Sequence, residues 1–126
     1  MRMILIALAV AATAAPGVAK DKNRVPEATP AGKPQSCIMT SRIRASHVRN
    51  DSIIDFEMNG GQIYRNTLPQ SCPGLGFDEA FSYKTSIGQL CSVDTIAVLR
   101  TGGGPVRGPT CGLGMFQPVT LAKKKR

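Results

Sequence analysis

The chain contains no tryptophan, a single histidine, and only four phenylalanines and two tyrosines in 126 residues. Without aromatic platforms it lacks the stacking surface that single-stranded nucleic acid requires, so no nucleic-acid partner is expected. With His47 alone there is no histidine-rich metal site, and a serine triad has one candidate base. Close cysteine pairs are missing too. Successive cysteines are separated by 34, 18 and 19 residues, unlike the C-x-x-C spacing of a zinc knuckle or a thioredoxin-type redox site. No metal and no cofactor are expected. Beyond residue 19 no apolar run approaches the roughly 20 residues that a membrane-spanning helix needs.

The one long apolar run lies at the start. Arg2 is a short positive segment, Met3–Ala15 an apolar stretch, and Pro16-Gly17-Val18-Ala19 supplies small residues before Lys20. This is the pattern of an export signal, with cleavage expected after Ala19. Residues 1–19 are therefore read as signal peptide, 20–36 as a Pro-rich disordered linker, 37–120 as a disulfide-stapled β domain, and 121–126 as a basic disordered tail. No cysteine stands at the cleavage point, so the expected product is soluble, periplasmic or secreted, and not lipid-anchored. A monomer is expected.

Removing the signal changes the meaning of the charge. The formal net charge is +8, yet residues 37–118 hold seven bases against six acids. The excess sits in Lys20, Lys22, Arg24 and Lys33 before the domain and in Lys123–Arg126 after it. Such tails bind anionic lipid or polymer weakly and with strong salt dependence. The preferred reading is a solvated end that aids solubility.

An even number of cysteines in a short exported chain implies two disulfides. Closing loops of these sizes contributes on the order of 4 kcal/mol each in the chain-entropy model. The pairing follows from strand parity. In a six-run meander Cys37 and Cys91 lie at one end and Cys72 and Cys111 at the other, favouring 37–91 with 72–111. If Phe81–Lys84 is not a strand, 37–111 with 72–91 becomes the better choice.

Short alternating runs fill the domain. Ser41–Val48 and Ser52–Met58 flank Asn50-Asp51, which suits a two-residue hairpin turn. Pairing Arg49 with Ser52 places Ala45 opposite Phe56, Ile43 opposite Met58, and Arg44 opposite Glu57. His47 then continues the apolar face, opposite Ile54, as a half-buried rim residue. For Gln62–Leu68, a three-residue Asn59-Gly60-Gly61 turn aligns Tyr64 with Phe56 and sends Tyr64 and Leu68 inward. Further runs are Phe81–Lys84, Thr95–Arg100 and a glycine-kinked Cys111–Thr120 carrying Leu113, Met115 and Val119. Thr101–Thr110 reads as a loop. A helical turn is possible near Asp78–Phe81, and no longer window has capped helical periodicity. The fold class is all-β: a small antiparallel meander of about six short strands closing into a barrel or sandwich.

No constellation points to catalysis. Asp55 and Glu57 share a strand face at a spacing close to that of a glycosidase pair, but Arg44 already answers Glu57. Asp94 suits a turn residue that caps backbone amides. Gly102-Gly103-Gly104 lacks the Gly-Lys-Ser/Thr ending of a phosphate loop. The expected function is a non-enzymatic structural or interaction module of the cell envelope, whose partner is an envelope protein or anionic surface. The alternatives are an anion-binding module using the tails and outer-face arginines, and a small hydrolase using His47.

Several motifs together resemble a family of small exported proteobacterial proteins of unknown function. They are Ile53-Ile54-Asp55-Phe56, Ile63–Pro69, Cys72-Pro73-Gly74-Leu75, Phe81-Ser82-Tyr83, Leu90–Ile96 and Cys111–Phe116. The resemblance implies no catalytic or binding residue.

Overall fold

A computed structural model describes residues 25–85, 87–100 and 106–122. The expected signal with its cleavage site at Ala19, residues 20–24, the Gly102–Gly104 run and the tail residues 123–126 lie outside this set. Among the described residues, ten short strands form three antiparallel sheets. The largest has the order β1-β10-β5-β4-β3, made of Ala28–Pro30, Phe116–Leu121, Ile63–Thr67, Ile53–Met58 and Ile43–Val48. A ribbon pairs β2 (Cys37–Met39) with β7 (Gln89–Cys91). A third sheet orders β6 (Phe81–Ser82), β8 (Thr95–Arg100) and β9 (Val106–Gly112).

The chain is all-β as expected, with sandwich-like antiparallel sheets and no closed barrel, and among the described residues it has ten strands in three sheets where a meander of about six was expected. The sheets share one core. Ile54, Phe56 and Met58 from β4, Tyr64 from β5 and Phe116 from β10 pack with Ile38, Leu90, Ile96, Val98 and Leu75. Phe56 stands at its centre, edge-on to Phe116 at 5.6 Å and to Phe81 at 6.2 Å. Such geometry suits the ring quadrupole and adds about 0.5–1.5 kcal/mol beyond area burial.

The β4–β5 register is the one the glycines imply. Phe56 lies opposite Tyr64 across Asn59-Gly60-Gly61, where both glycines have positive φ, 96° and 91°. The β3–β4 register differs from expectation. The Asn50 side chain accepts from Ser52 N at 2.7 Å, and Arg49 N donates to Ile53 O at 2.9 Å. This Asx turn makes a three-residue loop of Asn50-Asp51-Ser52. The pairs near the loop shift by one: Ala45 faces Glu57, Ser46 faces Phe56, and His47 faces Asp55. A bulge between Ile43 and Ala45 absorbs the shift and restores Ile43 opposite Met58.

The disulfides are Cys37–Cys91 and Cys72–Cys111. The parity argument favoured these pairs, but their physical basis is different. Cys37 and Cys91 are directly opposed in the β2–β7 ribbon, whereas Cys72–Cys111 ties the loop after β5 to β9. That loop carries a single helical turn, α1 (Leu75–Asp78), slightly earlier than expected. Gly76 N donates to the Asp51 carboxylate at 2.7 Å, fastening the turn to the β3–β4 loop.

Four boundaries move. Val106–Thr110, expected within the Thr101–Thr110 loop, open β9 against β8. Residues 28–30, expected in an unpaired linker, form β1 against β10, because main-chain pairing needs no apolar side chain. The single strand expected over Cys111–Thr120 is broken at Leu113-Gly114-Met115 into β9 and β10, with Met115 exposed. Leu121, assigned to the tail, closes β10 opposite Ala28. Among the described residues no helix is long and apolar enough to cross a membrane.

Candidate functional site

The outer face of the five-stranded sheet gathers most of the chemistry-bearing side chains. The loop shift turns His47 onto this face rather than the apolar one. Its Nε2 lies 3.1 Å from Glu57 Oε1, and Arg44, from the bulge, lies 3.6 Å from Glu57 Oε2. The His47 hydrogen bond, helped by the charges of Arg44 and His47 and opposed by desolvation, holds the Glu57 carboxyl below its ordinary value.

Asp55 sits beside this group with no exposed surface. Arg65 grips it with two donors, Nε to Oδ1 at 2.8 Å and Nη2 to Oδ2 at 2.9 Å, and Arg49 Nε adds a bond to Oδ2 at 2.9 Å. Arg65 Nη2 also donates to the Pro26 carbonyl at 2.9 Å, tying the N-terminal segment to the face. Bidentate, charge-assisted bonds of this kind are the strong ones. A buried carboxylate held by two guanidinium groups is a structural fastening that fixes β3, β4 and β5 together.

The arrangement defines what this face can do. An acid–base pair needs both groups open to a substrate. Asp55 is sealed, so Asp55 and Glu57 share the face without forming such a pair. The His47–Glu57 contact orients an imidazole as a triad does. However, the neighbouring hydroxyl, Ser46, belongs to the opposite face by strand alternation. Arg49 and Arg65 direct their donors at Asp55, so an anion patch on the outer face would rest chiefly on Arg44. Among the described residues no three His, Cys, Asp or Glu side chains gather where a metal could be held.

Two functional details of the fold escaped the sequence reading. Asn66 is fully buried and bonds both backbone groups of one residue, donating to Gly114 O at 2.7 Å and accepting from Gly114 N at 2.8 Å. Strand parity with Tyr64 and Leu68 signals this: a polar residue between two inward ones must find a partner inside. The other is the Arg49–Asp55–Arg65 fastening: the Phe56–Tyr64 register already sets Asp55 opposite Arg65, but the expected β3–β4 register turned Arg49 to the other face. Asp94 does cap its turn, accepting from Cys91 N at 2.7 Å.

Away from this face, an open cleft of about 300 Å³ lies at the end of the sandwich, lined by Gln35, Ile38, Met39, Arg42, Tyr64 and Gln89 among others. Its lining carries amide, thioether, aliphatic, phenol and guanidinium groups and no carboxylate. Comparison of the chain with protein-family models, with curated proteins and with solved structures returns no match.

Proposed function

We propose that this chain is an exported, disulfide-stapled β domain that works in the periplasm or outside the cell as a non-enzymatic structural or interaction module of the envelope. The observation that carries the reading is how its polar groups are used. Asp55, Asn66, Asp51 and Asp94 all bond to the protein's own guanidinium or peptide groups, which fixes strands and turns. Two disulfides support an oxidising compartment, since such bonds persist outside the reducing cytosol.

The test is the fate of the whole chain in a Gram-negative host. The expected result is a product beginning at Lys20, recovered from the periplasmic fraction with both disulfides formed. A cytosolic, uncleaved, thiol-containing product overturns the export reading. Activity screens against ester, peptide and glycoside substrates test the non-enzymatic part, and turnover abolished by His47→Ala overturns it.

A further inference from the structure

Pro118 occupies the middle of β10, an unusual place in a strand with neighbours on both sides. A residue in an antiparallel strand directs its nitrogen and its carbonyl to the same side. The Pro118 carbonyl accepts from Ala31 N at 2.8 Å, so the missing amide hydrogen is on the side covered by residues 26–35. Proline belongs at sheet edges because it cannot donate to the ladder. On this evidence β10 is the edge of the domain proper, and residues 26–35 are a strap laid over it.

The strap is held almost wholly by main chain. Glu27 O accepts from Ala122 N at 2.9 Å, Ala28, Thr29 and Pro30 lie opposite Leu121, Thr120 and Val119, and Gln35 exchanges two 2.8 Å bonds with Phe116. Side chains add Arg65 to Pro26 O and Gln117 Nε2 to Gly32 O, each at 2.9 Å. No residue from 25 to 36 is buried. Exposed hydrogen bonds without buried apolar area barely offset the entropy of ordering the chain, so the strap opens far more easily than the core.

An opened strap leaves the β10 edge unpaired, and an unpaired edge accepts an extended segment through main-chain bonds. The segment shown to match it, in register and in its placement of prolines, is 26–35 itself. Glu27, Thr29 and Ala31 turn their main chain toward β10, while Pro26 and Pro30 fall at the alternate positions facing away. The outer side of the strap is thereby poor in donors, so a third strand cannot easily add and an exchange stops at two chains.

We propose that the β10 edge is a strand-acceptor site for a second copy of this chain, with residues 26–31 of each molecule seating on β10 of the other while Gln35 stays on its own Phe116. Gly32–Pro34 is the hinge. The proposal rests on the strap geometry and is independent of where the protein works.

The mature chain from Lys20 onward, refolded at micromolar and at millimolar concentration, is the material for the test, read by sedimentation velocity. A dimer fraction rising with refolding concentration and relaxing slowly on dilution is expected. Thr120→Pro, on the acceptor, and Thr29→Pro, on the strap, each remove one donor from the facing Thr29–Thr120 pair. Both should abolish the dimer at an unchanged disulfide map and circular dichroism spectrum. Thr29→Pro touches no buried side chain, so it stays informative if Thr120→Pro misfolds. A labelled peptide of residues 24–36 should bind Thr29→Pro at least tenfold more tightly than wild type, because the competing strap is loosened. A monomer at every concentration, or a dimer that survives Thr29→Pro, overturns the proposal. Peptide binding without any dimer also overturns it, and shows that the edge serves a different extended partner.

Discussion

The Asn66 side-chain amide bonds to both backbone groups of Gly114, donating to its carbonyl at 2.7 Å and accepting from its N–H at 2.8 Å. Gly114 therefore behaves as a strand residue whose partner is a side chain. The contact closes the break between β9 and β10, and its closeness is possible because Gly114 has no Cβ: one built there would collide with the Thr67 carbonyl oxygen.

Removing either partner should loosen this junction. Asn66→Ala orphans two buried backbone groups and is expected to cost about 2–6 kcal/mol, at roughly 1–3 per unsatisfied group. Gly114→Ala is expected to cost about 1–3 kcal/mol by overpacking against Thr67. The double variant should cost less than the sum, since both act on one contact. Urea unfolding under non-reducing conditions measures all three, and full additivity would show that the two residues act separately.

Asp55 offers a sharper contrast. Asp55→Ala leaves the Arg49 and Arg65 guanidiniums facing one another without their shared anion, and removing one member of a buried ion cluster typically costs about 3–5 kcal/mol. Arg49→Met removes one of three hydrogen bonds to the carboxylate and should cost less, about 1.5–3 kcal/mol for a bond to a charged group. The same unfolding assay ranks them. Equal costs would mean that Asp55 depends on Arg49 rather than on the Arg65 grip.

These contacts also show what sequence could and could not reveal. The β4–β5 register was legible because two consecutive glycines leave few ways to turn, and Phe56 with Tyr64 then fixes the inward face. Between β3 and β4 an Asn50 side chain replaces a backbone turn bond and lengthens the loop by one residue. That slip moved His47 from the apolar face to a position opposite Asp55, and brought Arg49 to the face of Asp55 and Arg65. The strap was invisible for another reason: it pairs almost wholly through main chain and buries no apolar side chain, so hydrophobic patterning carries no trace of it. The three-residue strands of the β2–β7 ribbon were lost because each buries a single residue deeply on its inner face, Ile38 and Leu90, too few to show a period.

The ribbon is where the disulfides should differ. Each crosslink is expected to contribute about 4 kcal/mol in the chain-entropy model. A two-stranded ribbon is marginal alone. Cys37→Ala/Cys91→Ala should therefore release Ile38 and Leu90 locally, with fast amide exchange across residues 37–39 and 89–91 while β4 and β5 stay protected. Cys72→Ala/Cys111→Ala should instead destabilise α1 and β9. Losing both should leave the domain largely unfolded, because roughly 8 kcal/mol is comparable with a small domain's whole stability. Exchange profiles of the two double variants distinguish local from global release, and identical profiles would contradict the separate placement of the bonds.

Acid sensitivity should carry the signature of Glu57. Its carboxyl is held below the ordinary value of 4.5, first by the His47 hydrogen bond and then by the charge of Arg44, against some desolvation. A lowered folded-state value means that the native protein binds fewer protons than the unfolded chain between the two values. The stabilisation is complete above about pH 4.5 and is lost as pH falls through the lower folded value. Glu57→Gln removes this ionisation, so its stability–pH curve should be flatter over that acid interval. The gap between wild type and variant should narrow as acid is added. His47→Ala removes the largest cause of the shift and should move the acid limb of the wild-type curve toward higher pH. Urea midpoints collected from pH 3 to pH 7 test this. An acid limb unchanged in both variants would mean that the His47–Glu57 contact does not persist in solution.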